Sequence, residues 1–169
     1  MEFSEVVKKR YSCKKFDGRK VEKGKINEIL EVGRLAPTAK NLQEQKIYVL
    51  ESEEMLAKVD KLTPCRYGAS VVLLVAFDKN NVFTYPGNKR DSGVEDATIV
   101  ATHMMLAATN VGVDSCWINF FDPEELAKIL GLPKNEEVLM LLDLGYASDS
   151  TKPQGNKARK QLSETVKYL

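Results

Sequence analysis

Apolar residues recur at the spacing of an α-helix in two early segments of the chain. They are Phe3, Val6 and Val7, followed by Ile26, Ile29, Leu30 and Gly33. A third, short helix is expected after Ser52, because its hydroxyl can cap the first turn and two acidic residues follow it. These segments predict short amphipathic helices in the first third of the chain.

The longest predicted helix begins at Ser92 and ends at Gly112. Ser92 and Glu95 have the spacing of a capping box, and glycine is a common C-terminal stop. Apolar residues lie on nearly every side of this helix, so we expect it to be central and buried. A further helix is predicted to open at Asp122 and Pro123, a capping residue followed by a first-turn proline.

Four segments predict β-strands: Ile47–Leu50, Val71–Phe77, Ser115–Asn119 and Val138–Leu144. The second and fourth are apolar at nearly every position, which is typical of strands covered on both faces. The combination predicts an α+β domain with helices on both sides of a small sheet. No linker or repeat divides the chain, so we expect one domain over residues 1–169.

The C-terminal residues 149–169 are expected to form an extended arm. The stretch Asp149–Ala158 is polar and contains lysine, proline, glycine and asparagine. An arm that leaves its own domain often indicates subunit exchange, although disorder is the other interpretation.

Composition narrows the class of protein. Hydrophobic residues make up 43% and charged residues 29%, as in soluble globular proteins. A net charge of +1 argues against a generic nucleic-acid binder. The longest apolar run, Val71–Phe77, is too short to span a bilayer, and acidic residues near Met1 do not fit a signal peptide. We therefore expect a cytoplasmic protein with no membrane partner.

Several familiar chemistries are not favoured. Cys13, Cys65 and Cys116 lack the spacing of metal ligands, so no metal site is expected. No glycine-rich nucleotide fingerprint follows a strand. The single histidine, His103, lies within the apolar central helix, where a hydrogen-bonded structural role is favoured over a catalytic triad. Cys116 lies in an apolar strand, where a thiol is protonated and inert.

Basic residues concentrate at the two ends of the chain. Residues 1–25 hold nine Lys or Arg against four acids, and residues 150–169 hold five against one. The two ends could meet around one anion, or they could be solvated tails. The charge distribution alone favours solvated tails. In an extended strip, Arg10, Ser12 and Lys14 would share one side, and together they could bind a phosphate. A solvated basic face without a ligand explains the same three residues at least as well.

Several ordered segments together resemble the nitroreductase family of FMN enzymes. They are Arg10-x-Ser12-x-Lys14-x-Phe16-Asp17, Ala36-Pro37-Thr38-Ala39-Lys40-Asn41-Leu42-Gln43, Asp91-x-Gly93 with the helix to Gly112, Ser115-Cys116-Trp117-Ile118, Leu144-Gly145-Tyr146, and Lys157-Ala158-Arg159. Each segment alone is a weak signal, but their order and coverage of nearly the whole chain make the resemblance strong. It implies a dimeric three-layer α/β/α sandwich with a central mixed sheet.

The resemblance also implies the residues that bind FMN. The phosphate would be held by Arg10, Ser12, Lys157 and Arg159. The remaining contacts would come from Lys14 at the N1 and O2 edge of the flavin, Pro37, Thr38 and Asn41 of the second subunit, and Trp117, Ile118 and Asn119 along the strand behind the ring. Lys14 and Asn119 would be the catalytic positions. The backbone N–H of Asn119 would face flavin N5, so its side chain is expected to be free to vary.

The sequence departs from the family pattern at three places. Glu44-Gln45 follows Gln43, where the family usually has proline and an aromatic residue. Phe120 lies where some members have glycine, so it could narrow the space over the ring. Phe83 and Tyr85 lie in a short segment that forms either a lid over the substrate or simple packing against the body. These departures bear on the substrate rather than on flavin binding.

The implied function is a two-step oxidoreductase reaction. NAD(P)H would reduce the bound FMN and leave the site. A nitroaromatic, quinone or enone would then bind at the position that the nicotinamide has left and be reduced by the FMN. The alternatives are another flavin reaction such as reductive dehalogenation, a flavin store or sensor without turnover, and a basic-ended interaction module without a cofactor. The choice between NADH and NADPH stays open, as does the question of which subunit's site Lys157 and Arg159 serve.

Overall fold

The computed structural model describes residues 1–149 and 158–169. The helices of these residues are α1 (Phe3–Lys9), α2 (Lys23–Arg34), α3 (Glu53–Asp60), α4 (Gly93–Asn110), α5 (Pro123–Leu130) and α6 (Leu162–Thr165), and the strands are β1 (Gln45–Leu50), β2 (Val71–Asp78), β3 (Asp114–Ile118) and β4 (Glu136–Gly145). All four predicted strands and the five predicted helices form close to their expected bounds. The short helix α6 in the C-terminal arm was not predicted.

The four described strands form one sheet in the order β1-β2-β4-β3, and every neighbouring pair is antiparallel. The prediction of a mixed sheet is therefore wrong for these strands. Helix α5 lies between β3 and β4 in sequence, and these two neighbouring strands pair antiparallel. Parallel pairing within the described residues is limited to an isolated bridge between Ser12 and Ser115.

Helices cover both faces of the sheet. Residues of β2 alternate between the two hydrophobic clusters, because successive side chains in a strand point to opposite faces. Leu73 and Val75 pack with residues of α2 and α4, whereas Val72 and Leu74 pack with residues of α3 and α5. Residues 71–77 are all buried, which explains the unbroken apolar run in the sequence.

Helix α4 is central, as its apolar pattern predicts. Its buried residues include Ala97, Val100, Ala101 and Met104. The predicted capping box is wrong, because Ser92 has a helical backbone conformation and its hydroxyl makes no capping bond. The N–H of Gly93 donates instead to Asp91 Oδ1 at 3.0 Å.

The start of α5 agrees with its sequence signal. Asp122 Oδ1 accepts hydrogen bonds from the N–H groups of Glu124 and Glu125, both at 3.0 Å. The helix ends at Gly131, whose φ of 70° lies in the left-handed region that glycine adopts readily. This helix and α3 cover the face of the sheet opposite α4.

Two kinds of feature are absent from the described part of the chain, residues 1–149 and 158–169. No helix there combines the length and the apolar character needed to cross a membrane. No group of three histidine, cysteine or acidic side chains there is arranged to hold a metal ion.

Candidate functional site

The basic strip of residues 10–14 lies along the free edge of β3. Helix α1 ends before Arg10, and the chain then runs extended through Ser12, which bridges to Ser115. The N–H of Cys13 donates to the carbonyl oxygen of Ser115 at 2.9 Å. This pairing fixes the strip next to the strand that the resemblance assigns to the flavin.

Burial along the strip agrees with the predicted alternation only at Cys13 and Lys14, because Arg10, Tyr11 and Ser12 are all half-buried. Cys13 is fully buried and Tyr11 is half-buried, whereas Lys14 is exposed. Tyr11 interacts with Cys13 and Asp114, and burial raises the pKa of the Tyr11 hydroxyl far above its ordinary value. The inward side chains thus hold the strip against the sheet, and the outward side carries the lysine.

Arg10 differs from four of the other five arginines of the described residues. Arg19, Arg34, Arg66 and Arg90 each form an ion pair, with Asp17, Glu31, Asp60 and Glu95 respectively. Arg10 is half-buried, and within residues 1–149 and 158–169 its guanidinium group forms no ion pair. A guanidinium group without an acidic partner, beside a strand edge, can bind an anion such as a phosphate by donating two hydrogen bonds.

Lys14 lies near enough to β3 for its charge to act on Cys116. The ammonium group lowers the pKa of this thiol, but burial has the larger effect and raises that pKa to about 11. The thiol is therefore protonated at neutral pH, in agreement with the inert role expected from the sequence.

The end of β3 carries a hydrogen bond that the sequence did not predict. Trp117 is half-buried and Ile118 is buried, whereas Asn119 is exposed. The indole Nε1 of Trp117 donates to Asn119 Oδ1 at 2.7 Å. The Asn119 side chain thus has a partner on β3, and the role expected of the Asn119 backbone N–H at flavin N5 stays a prediction. Phe120 follows with 73% of its surface exposed.

The C-terminal part of the predicted site is only partly described. Lys157 lies outside the described residues. Arg159 is exposed, and its Nη1 donates to the carbonyl oxygen of Ala158 at 3.0 Å. In the described part of the chain, no hydrogen bond or ion pair joins Arg159 to Arg10 or Ser12. Convergence of the two basic ends therefore stays a prediction.

The loop predicted to contact the flavin of the second subunit is tightly folded. Pro37 and Asn41 are exposed, and Thr38 Oγ1 accepts a hydrogen bond from the Gln43 N–H at 3.0 Å. Lys40, Asn41 and Gln43 have φ values of 52°, 56° and 54°. Three left-handed residues without a glycine make this a strained backbone that needs support from its surroundings.

Two buried acids supply part of that support, and sequence reasoning missed them as a pair. Glu44 and Asp96 are 1% and 4% exposed. Asp96 accepts the Ala39 N–H with both carboxylate oxygens, at 3.0 and 3.1 Å. Glu44-Gln45 departs from the family pattern, but no local pattern in the sequence indicates that Glu44 and Asp96 are buried near the same serine, Ser92.

A third buried acid, Asp143, lies in the middle of the sheet. It is fully buried on β4 opposite Cys116, and neither carboxylate oxygen has a hydrogen-bond partner among the described residues. Burial raises the pKa of Asp143 to about 9, although Arg66 acts in the opposite direction. The group is therefore protonated at neutral pH. The signal in the sequence was a single acid within the apolar run Val138–Leu144.

His103 has a structural partner, as the sequence predicts. Its Nδ1 lies 2.8 Å from the carbonyl oxygen of Ile99 in the preceding turn. The ring is half-buried rather than fully buried, and it lines an apolar groove between α1, α2 and α4. Its position on this groove sets it apart from the basic strip.

The chain matches the model of the nitroreductase family over residues 7–65 and 57–146. It therefore belongs to the nitroreductase family. Among its relatives, a Bacillus subtilis protein named "Putative NAD(P)H nitroreductase MhqN" is 28% identical, and the match covers 99% of each chain. An Archaeoglobus fulgidus protein named "Putative NADH dehydrogenase/NAD(P)H nitroreductase" is 30% identical over 83% of this chain and 82% of its own.

Solved structures show the same fold. A nitroreductase family protein from Clostridium difficile 630 superposes with a TM-score of 0.93 at 39% identity, covering 99% of this chain and 98% of its own. A protein from Exiguobacterium sibiricum 255-15, described as a nitroreductase in complex with FMN, superposes with a TM-score of 0.86 at 24% identity, covering 100% and 98%. These proteins are what the chain is similar to in sequence and fold.

Proposed function

We propose that this chain is an FMN-dependent oxidoreductase of the cytoplasm, which passes hydride from NAD(P)H to small electron-poor acceptors such as nitroaromatics, quinones or enones. The observation that carries the proposal is the Arg10 guanidinium group at the edge of β3, which has no ion pair with any described residue. The chain also belongs to a family whose relatives are named NAD(P)H nitroreductases. The FMN complex of a protein with the same fold adds support for this cofactor.

The residues at the strip fit the phosphate of FMN. Arg10 offers a planar donor pair, and Ser12 offers a hydroxyl beside it on a strip whose backbone is fixed by β3. Lys157 and Arg159 would complete the site with two further positive charges. A phosphate bound there would satisfy the guanidinium group that has no acidic partner among the described residues.

The remaining residues would orient the flavin ring, which supplies the hydride-transfer chemistry when it is bound. Lys14 would place a positive charge at the N1 and O2 edge, where reduction adds negative charge. Trp117 and Ile118 would form the wall behind the ring, and the Asn119 backbone N–H would face N5. The product's proton would come from water, because no side chain of the strip is an evident general acid.

The active unit would be a homodimer built from three-layer sandwiches. An apolar groove of about 540 Å³ lies between α1, α2 and α4, and Phe3 on its rim is 71% exposed. Burial of such a surface against a second copy would be favourable. In that dimer, Pro37, Thr38 and Asn41 of one subunit would contact the flavin of the other.

An absorption spectrum of the purified protein, followed by titration with FMN and riboflavin, tests the cofactor assignment. We expect bound FMN, and much weaker binding of riboflavin because it lacks the phosphate. Equal affinity for the two flavins would contradict the assignment.

A steady-state assay with NADH or NADPH and a panel of acceptors tests turnover. A store or sensor would be reduced once and then stop, whereas the proposed enzyme continues. Comparison of the two donors and of nitroaromatic, quinone, enone and halogenated acceptors identifies the reaction. Failure to turn over any of them with bound FMN would overturn the enzymatic part of the proposal.

A further inference from the structure

Two acidic side chains are buried together beneath the loop of residues 38–43. Glu44 lies between this loop and β1, and Asp96 lies in the first turn of α4. Burial of two nearby carboxylates in their charged forms is costly, because burial removes the solvation that would stabilise the charges and screen their repulsion. The pair must therefore be held together by something other than charge.

The hydrogen bonds around Glu44 show where a proton is needed. Oε1 accepts from the Ser92 hydroxyl at 3.3 Å. Oε2 is buried and receives no hydrogen bond from the described residues. Asp96 lies one turn along α4 from Ser92 and donates its N–H to the Ser92 carbonyl oxygen at 2.8 Å, so both acids bond to the same serine. Two carboxylates cannot bond to each other unless one carries a proton. A proton on Glu44 would satisfy both groups.

We infer that Glu44 and Asp96 share one proton, and that this acid pair positions the 38–43 loop for the flavin site. The part that concerns the flavin rests on the proposed function. Asp96 holds the Ala39 N–H with both oxygens, so its orientation decides where the loop begins. Glu44 fixes that orientation from the other side. Neither residue touches the reacting atoms.

The same pair reaches the Phe83–Tyr85 segment through Ser92. The Ser92 hydroxyl that donates to Glu44 also accepts the Phe83 N–H at 3.2 Å, and the Ser92 N–H donates to the Phe83 carbonyl oxygen at 2.9 Å. The Lys40 ammonium group lies 4.7 Å from the centre of the Phe83 ring. The strained loop and the aromatic segment are thus held by one buried network.

The charged groups on the surrounding elements leave Asp96 as the partner of Glu44. Lys40 is directed to the Phe83 ring, and Asp78 accepts hydrogen bonds from Asn80 and Asn135. Glu95, on the same turn as Asp96, accepts the Tyr85 hydroxyl and pairs with Arg90. Lys40, Asp78 and Glu95 are therefore each engaged by a group other than Glu44.

Burial and the hydrogen bond to Asp96 raise the pKa of Glu44 to about 7. Below this pH the shared proton is present and the loop is held. Above it, a second negative charge appears beside Asp96 and the hydrogen bond between the two carboxyl groups is lost. The Ala39 N–H bond and the loop are therefore expected to loosen as the pH rises through about 7.

The test measures two properties from pH 6 to pH 8.5 in the native protein and in Glu44→Gln. One is the hydrogen-exchange protection of the Ala39 amide in flavin-free protein, corrected for the intrinsic pH dependence of exchange. The other is the affinity for FMN. In the native protein both the protection and the affinity should fall as the pH rises. The fall should be roughly tenfold for each unit by which the ordered loop, or bound FMN, raises the pKa of Glu44. In Glu44→Gln both should stay at their low-pH level, since the amide donates to Asp96 without titrating.

The controls separate this inference from the proposed function. The FMN phosphate itself titrates near pH 6, about as a phosphoserine does, and this effect is common to both proteins. If FMN does not bind at all, the proposed function fails, but the exchange of the Ala39 amide still decides whether the pair anchors the loop. If Glu44→Gln does not fold, Asp96→Asn serves instead, since its amide can accept Ala39 and donate to Glu44. If amide protection and FMN affinity fall with pH in the variant as they do in the native protein, the inference is overturned.

Discussion

The indole Nε1 of Trp117 donates a hydrogen bond to the Asn119 side chain at 2.7 Å, across the end of β3. This bond fixes the exposed end of the strand that the proposed function places behind the flavin. Because Trp117 is the single tryptophan of the chain, its fluorescence reports directly on this contact.

Replacement of the acceptor should release the indole ring. Asn119→Ala is expected to shift the emission maximum of Trp117 and to lower the free energy of unfolding by about 0.5–1.5 kcal/mol, the net value of one hydrogen bond. Asn119→Asp keeps an oxygen acceptor and should retain the native spectrum. An unchanged emission maximum in the alanine variant would show that the bond does not order the ring.

The phosphate site predicts a selective effect of Arg10. Arg10→Ala should weaken FMN binding by about 1.5–3 kcal/mol, because a charge-assisted donor pair is lost, and should change riboflavin binding little. Isothermal titration with both flavins measures this difference. Lys128→Ala removes a positive charge from the exposed face of α5 and serves as the control. Equal losses in the two variants would mean that net charge, not a site, attracts FMN.

The charge of Lys14 predicts a change in the potential of the bound flavin. Lys14→Met should leave FMN bound but lower its midpoint potential, since the reduced flavin loses a nearby positive charge. A shift of about 30 mV corresponds to roughly 1.4 kcal/mol for a two-electron couple. Spectroelectrochemical titration measures it, with Lys128→Met as the control. A native potential in Lys14→Met would make Lys14 an ordinary surface lysine.

The C-terminal arm predicts that dimerisation and FMN binding are linked. Tyr168 and Leu162 are 93% and 70% exposed, so the apolar side chains of the arm have no cover within one chain's described residues. Removal of all residues after Ala147 should weaken both properties, because one segment would support both. The dimer interface to which the arm contributes should bury more than roughly 2,000 Å² of total surface.

Light scattering and flavin content of the truncated chain decide this prediction. A truncated protein that remained a fully yellow dimer would show that the arm is an appendage. The roles proposed for Lys157 and Arg159 would then be wrong.

The buried Asp143 predicts how stability depends on pH. Its pKa is raised from 3.8 to about 9, so the unfolded chain releases this proton at a lower pH than the folded chain does. The free energy of unfolding should therefore fall as the pH rises from about 4 to about 9, and this contribution should then level off. The slope is the reverse of that given by an acid in a salt bridge.

Asp143→Asn should remove this contribution. Between pH 4 and pH 8, the variant should gain about 1.4 kcal/mol of stability per pH unit relative to the native protein, or roughly 5 kcal/mol in all. Urea unfolding at several pH values measures this gain, and Asp149→Asn, at an exposed position, is the control. Parallel stability curves for the native protein and Asp143→Asn would contradict the assigned protonation.

The sequence by itself determined the four strands, five of the six described helices and the family. The apolar run of β2 indicates burial on both faces, and Asp122 with Pro123 marks the start of α5, because burial and capping are encoded by residues close in sequence. The burial of Cys13 and the exposure of Lys14 also follow from the period of an extended chain.

Only the tertiary structure decided which distant side chains meet. Ser92 has a capping pattern, yet its hydroxyl binds Glu44, 48 residues away, and Asp96 binds the Ala39 N–H, 57 residues away. Local spacing carries no information on such contacts, because they depend on how α4 packs against β1 and the loop before it. The antiparallel sheet has the same origin, since strand direction follows from the path of the connections rather than from the pattern within any strand.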